Sequence, residues 1–532
     1  MACNQPQLPF DCILEILKFL QNDYRSLLSC IQINRTWCQL VIPQIWRRPF
    51  ENLLCREEGA KLIQIYVSLF DDSEIQQLNA ANITLPNTPK PLFNYPEFLR
   101  ELDVDHFQVA VQDWHWMLMS KNQSTIALTP SRNKLVGGLI FSHCNGLCHL
   151  NINTINSYLE DVSVWKGAQL ALSTLQKLEI QYDSGLEAFH EEKISSLFDF
   201  LSSFSRDIRK ISINIDIDFM LDGGLSNAGL AFSKLLRSQK HVKILETNEF
   251  WDCNSSSIIF NALQVQAKSL TSLKINGITR MDLLFPVLTS CQNLETLSLN
   301  GVEDSYYMDI NDAYFSPLTS LKLKNLDCWG YFDHHSTLEL IMLVLKMTNS
   351  NLRTLRIKKV TAPFMDAISQ YCPNINNLTL VISSNEYPNL LPLFGSLHSL
   401  THLSLGVVNK KTEQSRHQIY LFTEKIIRSL PSTLEYLAID FNINIRDWKM
   451  FFRNCRLKLK ELVLHQRELI QDSYLKVVVD YAKEFESLKV LKYQRPYSWY
   501  GGSFSSKALK EAKCFIPTIE LAKPFGELVY DA

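Results

Sequence analysis

The sequence predicts an α/β solenoid with a curved parallel sheet inside and helices outside, preceded by a small all-helical unit. Three observations predict it. An apolar-x-x-apolar-x-apolar frame recurs along most of the chain. Amphipathic stretches at helical spacing fall between the recurrences. The first fifty residues carry three short helical patterns of their own.

Taking its first residue, the frame starts at Leu147, Leu175, Ile208, Val242, Leu270, Leu294, Leu318, Leu352, Ile375, Leu400, Leu434, Leu459 and Leu488, which predicts thirteen strands. Leu270-Thr271-Ser272-Leu273-Lys274-Ile275 is a clear copy; the one at Val242 is weaker, with Thr247 in sixth place. Successive starts lie 23 to 34 residues apart, the leucine-rich-repeat range. Between strands, Phe364, Met365, Ile368 and Tyr371, or Leu421, Phe422, Ile426, Ile427 and Leu430, are spaced for one helical face. Each repeat thus reads as strand then helix. Such a unit exposes an apolar edge that only a neighbour can cover, so the repeats are expected to stack into a leucine-rich-repeat solenoid with a concave binding face.

The solenoid is expected over 136–495. Residues 49–135 repeat poorly, although Leu99-Arg100-Glu101-Leu102-Asp103-Val104 fits as a degenerate first copy. Pro86, Pro89, Pro91 and Pro96 favour extended backbone, so 49–135 reads as a spacer and N-terminal cap. The pattern breaks after Arg495, and 496–532 reads as the C-terminal cap.

In the first helix Ile13, Ile16, Leu17 and Leu20 form the apolar stripe, with Asp11 as the expected cap. Asp23 caps a second helix bearing Leu27, Leu28 and Ile31. A third carries Trp37, Leu40 and Val41 and is expected to stop at Pro43. Three helices this short bury too little surface to be comfortable alone, which points to a partner protein completing the core.

Leu8-Pro9-Phe10-Asp11, then Ile13, Ile16-Leu17, Leu27-Leu28, Asn34-Arg35-Thr36-Trp37 and Ile45-Trp46, resemble an F-box over residues 1–48. The resemblance implies docking on a Skp-type adaptor, and through it on the cullin and RING subunits of an SCF-type ubiquitin ligase. It implies Leu8, Pro9, Ile13, Ile16, Leu17, Leu27, Leu28 and Trp37 as the adaptor contacts. It also implies a substrate-recognition subunit whose repeats hold a protein substrate for ubiquitin-dependent degradation, with catalysis left to the partners. A non-catalytic leucine-rich-repeat interaction scaffold acting outside a ligase is the alternative.

Composition narrows the classes further. With 46% hydrophobic and 20% charged residues the chain can bury a core. A net charge of −2 over 53 basic and 55 acidic residues supplies no global field toward nucleic acid or anionic lipid, so neither is an expected partner. The N-terminus lacks a signal-peptide pattern, and no run approaches the roughly 18 apolar residues of a spanning helix. Thirteen cysteines without framework spacing read as reduced thiols in cytoplasm or nucleus. Cys291 and Cys372 precede Leu294 and Ile375 by three residues, where the cysteine-containing repeats of F-box proteins carry a thiol, and read as packing groups.

Two clusters invite a metal. His143-Cys144 and Cys148-His149 are close in sequence, but the repeat anchors Leu147 and Leu150 put neighbouring side chains on opposite faces of a strand. Asp333-His334-His335 falls in an inter-repeat loop without companion acidic motifs. Phosphate-binding loop, nucleophile elbow, zincin helix and dinucleotide fingerprint are all missing from the sequence. No enzyme activity, cofactor or metal is expected.

The substrate patch is expected where the third, fifth and seventh positions of each frame face into the horseshoe. The Leu318 copy places Lys322 and Lys324 there, the Leu352 copy Arg356 and Lys358, and the Leu270 copy Lys274. Glu179, Glu246, Asp440 and Glu461 occupy such positions only on more distant repeats. The cationic block fits an acidic or phosphorylated segment of the substrate; lysines that only keep the sheet hydrated are the simpler alternative.

Overall fold

The computed structural model describes residues 8–51, 55–86, 88–122, 130–153, 161–183, 191–216, 227–248, 253–277, 281–300, 320–329, 335–383, 386–408, 425–426, 428–440, 443–465, 471–494, 504–523 and 525. The chain forms two compact units, Met1–Leu270 and Thr271–Ala532. Both are α/β and both are built from the same repeat.

The first unit opens with α1 (Phe10–Phe19), α2 (Tyr24–Ile31) and α3 (Arg35–Ile45). Asp23 caps α2 by accepting the Ser26 amide at 3.1 Å, and Asn34 caps α3 by accepting that of Trp37 at 3.0 Å. Two expectations fail here. Asp11 is inside the first turn of α1, where its charge faces the positive helix end, and no side chain caps that helix. Pro43 does not stop α3: its missing amide costs one bond near the end, and the Trp46 amide still reaches the Ile42 carbonyl at 3.0 Å.

The residues expected to be a spacer and N-terminal cap are mostly folded. They form α4 (Arg56–Val67), α5 (Asp72–Ala80), α6 (Val104–Asn122) and the start of α7 (Pro130–Ser142). Phe50 meets Phe107 edge-on at 5.2 Å, and buried Trp114 donates its indole N–H to Gln64 at 2.9 Å. The described residues of the proline-rich segment before the short 3-10 turn Tyr95–Phe98 form neither helix nor strand, and Tyr95 lies against Trp46 at 3.9 Å.

The strands of the first unit are β1 (Glu101–Asp103), β2 (His149–Asn153), β3 (Lys177–Asp183), β4 (Lys210–Asp216) and β5 (Ile244–Asn248), each parallel to the next. The second unit holds β6 (Ser272–Asn276), β7 (Thr296–Asn300), β8 (Asn325–Trp329), β9 (Thr354–Val360), β10 (Asn377–Ser383), β11 (His402–Val408), β12 (Tyr436–Asp440), β13 (Glu461–Leu464), β14 (Val490–Tyr493) and β15 (Thr518–Leu521), again parallel and in order. In β2 and β6 burial alternates, so frame positions four and six face the core and positions three, five and seven the open side. Gln239 and Gln266 replace apolar packing below the strands: each amide side chain accepts from a buried backbone N–H of its own or the preceding repeat, Ile208 and Val242 respectively.

Strands extend beyond both expected limits of the solenoid, β1 before residue 136 and β15 after residue 495. The second was hidden in the expected cap, although Ile516-Pro517-Thr518-Ile519-Glu520-Leu521 keeps the frame. The repeat expected from Leu318 is displaced by five residues. β8 pairs Leu326 with Leu297 and Cys328 with Leu299, so the frame is Leu323-Lys324-Asn325-Leu326-Asp327-Cys328. Leu321 and Leu323 are both buried, and apolar residues at 318, 321, 323 and 326 satisfy two frames; pairing with β7 and β9 selects one.

Eleven cysteines are free among the described residues. Burial pushes the Cys291 thiol up to about 12 and that of Cys372 to about 11, so both are packing groups at neutral pH. Titration of the denatured chain without reductant is expected to find all thirteen thiols free, and paired cysteines in fresh material would contradict it.

Candidate functional site

The helical unit separates its apolar residues into two sets. Ile13, Leu17, Leu27 and Val41 form a closed core, with Leu20, Ile31, Trp37 and Leu40 packed around it. These residues hold α1, α2 and α3 together, so Ile13, Leu17 and Leu27 are not on the surface that the resemblance assigned to them, and Trp37 is only partly so. Leu8, Pro9, Ile16 and Leu28 are exposed, Leu28 by 54%. Phe10, Ile33 and Phe19, the last 87% exposed, join them and were not singled out in the sequence. Phe19 could have been, because it follows Ile16 by three residues on one helix. Six large apolar side chains on so small a unit form a surface that water covers poorly.

That unit is joined to the repeats by the repeat's own backbone pattern. In successive repeats one carbonyl accepts two amides of the next: Arg100 O from Cys148 and His149, Cys148 O from Gln176 and Lys177, Gln176 O from Arg209 and Lys210. Arg47 O, just beyond α3, accepts the Arg100 and Glu101 amides at 2.9 and 3.0 Å and so acts as the preceding repeat. The Arg47 side chain adds an ion pair to Glu101 at 2.7 Å.

From Glu101 a charged row crosses the open side of the first unit. His149 lies 3.7 Å from Glu101 and 2.8 Å from Glu179, and Lys177 and Lys210 reach Glu179 at 2.9 and 3.1 Å. Glu246, farther along, accepts from Ser212 at 3.0 Å. The His149 ring and the Arg47 guanidinium beside it hold Glu101 down at about 2, and the hydrogen bond from His149 lowers Glu179 as well. Burial opposes it, yet the His149 imidazole is raised, because the carboxylates of Glu101 and Glu179 on either side favour its charged form. Glu101 therefore contributes fully above its ordinary 4.5 and loses its contribution as pH falls toward about 2; His149 contributes fully below 6.5 and loses it as pH rises through its raised value. Wild type is expected to exceed His149→Gln by about 1 kcal/mol near pH 6, with a smaller margin near pH 9, in urea unfolding followed by circular dichroism. An equal margin at both would contradict it.

The expected cationic block of the second unit does not assemble. Lys322 precedes the true frame and its ammonium bonds Asn293 at 3.1 Å, while Lys324 occupies the second frame position and pairs with Glu295 at 2.9 Å. The fifth position belongs to Asp327, an acid in the middle of the block. Arg356, 2% exposed, bonds it at 3.2 Å and lies over the Trp329 ring at 3.9 Å. Burial raises the Asp327 carboxyl, and Arg356, Ser298 and Lys274 act against that rise. Lys274 and Lys358 are half-buried on β6 and β9. Asp327 and Trp329 fall outside the frame that starts at Leu318; the even 29-residue steps from Leu294 to Leu323 and on to Leu352 are the sequence signal that locates them.

The candidate metal ligands near residue 145 have other partners. His143 bonds Glu74 at 3.0 Å, Cys144 donates to the Ile140 carbonyl at 3.4 Å and is raised to about 12 by burial, and Cys148 faces Arg47 at 3.5 Å. Among the described residues no three metal-ligating side chains converge. Asp333 and His334 lie outside the described residues, as does part of the Leu421–Leu430 stretch. No described helix is long and apolar enough to cross a membrane.

No curated protein matches the chain. Among solved structures, the complex of Rad7 and Elc1 in yeast matches at 12% identity, covering 95% of this chain and 100% of that one, with a TM-score of 0.34. A Bacteroides fragilis protein matches at 13% identity with a TM-score of 0.28; the match covers 48% of this chain and 66%, just under two thirds, of that one. Residues 5–52 match the family described as F-box-like. The helical unit at the start of this chain is an F-box-like domain, and the strands that follow it carry leucine-rich repeats.

Proposed function

We propose that the protein is the substrate-recognition subunit of an SCF-type cullin-RING ubiquitin ligase. Its F-box-like domain docks on a Skp-type adaptor, the adaptor brings cullin and RING subunits, and the repeats hold a protein destined for ubiquitin-dependent degradation. The observation that carries the reading is the exposed set Leu8, Phe10, Ile16, Phe19, Leu28 and Ile33 on a domain whose remaining apolar residues close on themselves. An adaptor groove that covers this set removes it from water and completes a unit too small to be stable alone. The backbone joint at Arg47 supports the second half, since it holds the first strand of the repeats against the adaptor-binding helices. In such an arrangement the receptor does no bond chemistry; it raises the concentration of substrate beside a charged conjugating enzyme. Thirteen cysteines without a disulfide framework favour cytoplasm or nucleus.

Mixing the purified chain with a Skp-type adaptor and separating by size is the direct test. A one-to-one complex at micromolar concentration is expected, and its absence with folded protein would overturn the reading. Affinity capture with and without proteasome inhibition then separates ligase from scaffold: a captured protein that accumulates only under inhibition is a substrate, whereas one whose amount does not change marks a scaffold.

A further inference from the structure

The open side of the second unit changes character along its strands. On β6 and β7 the fifth and seventh frame positions are polar: Lys274 and Asn276, then Ser298 and Asn300. On β10 to β13 one of the two positions on each strand is apolar or bare, Val381, Gly406, Ala438 and Val463, beside Thr379, Ser404, Asp440 and His465. Small apolar residues at positions where other repeats carry hydrogen-bonding groups make a smooth, poorly hydrated seat on an otherwise polar sheet.

One side chain occupies it. After β15 the chain still follows the ladder at Ala522, whose amide bonds the Tyr493 carbonyl of β14 at 2.9 Å. Three residues on, Phe525 packs with Val381, Ala438 and Val463 and is 9% exposed. Ala522 lies at the β14–β15 edge, whereas Val463, Ala438 and Val381 belong to β13, β12 and β10, so the Phe525 ring is seated over strands that precede β14. The ring fits closely: a Cβ added at Gly406 would come within 3.0 Å of its Cε1, and the ring meets His465 edge-on at 5.3 Å and Trp329 at 6.1 Å.

We propose that this seat is the aromatic-anchor site of the repeats, held in the free protein by Phe525, and that a protein partner binds by presenting its own large aromatic side chain there in place of Phe525. The partner is a polypeptide because the present occupant is itself a protein side chain, delivered by a segment that leaves the ladder at Ala522 and packs its ring on Val381, Ala438 and Val463. Phe525 then acts as a competitor at high effective concentration, which weakens every partner by the fraction of time the seat is free. The proposal deepens the reading of the repeats as the recognition half and rests on it for the partner's class.

The test uses the full chain and a labelled synthetic peptide copying residues 518–530, with no adaptor present, so its outcome is separate from that of adaptor binding. Phe525→Ala vacates the seat and is expected to bind the peptide saturably, at least about tenfold more tightly than wild type. The same peptide with Ala in place of Phe525 is expected to bind neither protein. Adding Gly406→Val to Phe525→Ala fills the seat from below and is expected to abolish the binding while circular dichroism stays unchanged. Equal binding by wild type and Phe525→Ala, or equal binding of both peptides, would overturn the proposal. Unfolding of Phe525→Ala would overturn it as well, since the ring would then be part of the core and not a displaceable occupant.

Discussion

Arg356→Leu is expected to destabilise the second unit by about 3–5 kcal/mol, because it leaves the Asp327 carboxylate buried without its ion-pair partner. Arg356 is enclosed and stacked on Trp329, and Asp327, its side chain 19% exposed, is already raised by burial, so solvent screening softens the loss only in part. The pH dependence distinguishes this from lost packing. A carboxyl whose folded value is raised binds its proton more readily folded than unfolded, so it costs stability increasingly as pH climbs from its ordinary 3.8 through the raised value. Without Arg356 that value rises further, and the deficit should be largest at neutral pH and shrink in acid. Adding Asp327→Asn should recover most of it. Urea unfolding of wild type, Arg356→Leu and the double variant at two pH values measures each quantity, and a pH-independent deficit would assign the effect to packing. Lys322→Glu, on an exposed side chain outside the frame, should stay within about 0.5 kcal/mol of wild type. Any loss of substrate capture on reversing the charge of Arg356 would therefore report unfolding before it reported recognition.

The second large effect is at the F-box-like domain. Replacing Leu8, Ile16 and Leu28 together by Ala removes three exposed apolar groups from the proposed adaptor surface while leaving Ile13, Leu17, Leu27 and Val41 in place. Central anchors of an interface are worth about 2 kcal/mol or more each, so adaptor affinity should fall by about a thousandfold or more with helicity unchanged. The neighbouring substitution Leu27→Ala is the contrast. Leu27 is 1% exposed, and truncating it costs about 2–5 kcal/mol of stability, enough to melt three short helices, so binding and helicity should be lost together. Isothermal titration beside circular dichroism separates the two cases. Wild-type affinity in the triple variant would move the adaptor surface elsewhere.

These pairs show how far local pattern reaches. Leu27 and Leu28 are identical in composition and adjacent in sequence, and a helical stripe broad enough to include both cannot say which one closes the core. The caps at Asp23 and Asn34 involve atoms three residues apart, and Asp23 was legible as a cap from the sequence. Pro43 was misread because a proline penalty is local and small beside the burial of Val41 and the residues packed on it.

By itself the sequence determined the fold class, the F-box-like start and nearly every repeat, because an apolar frame recurring every 23 to 34 residues has only one way to bury its leucines. What only the tertiary structure decided was register and occupancy. Two frames near Leu321 are equal in apolar content, and hydrogen bonds to β7 and β9 chose the one that sets Asp327 beside Arg356 and disperses the expected cationic block. Phe525 is separated by about sixty residues or more from the strands it covers, and no periodicity carries information about which distant surface such a side chain will meet. Long-range pairing and burial are properties of the assembled sheet, fixed only when strands far apart in sequence stand about 4.8 Å apart in space.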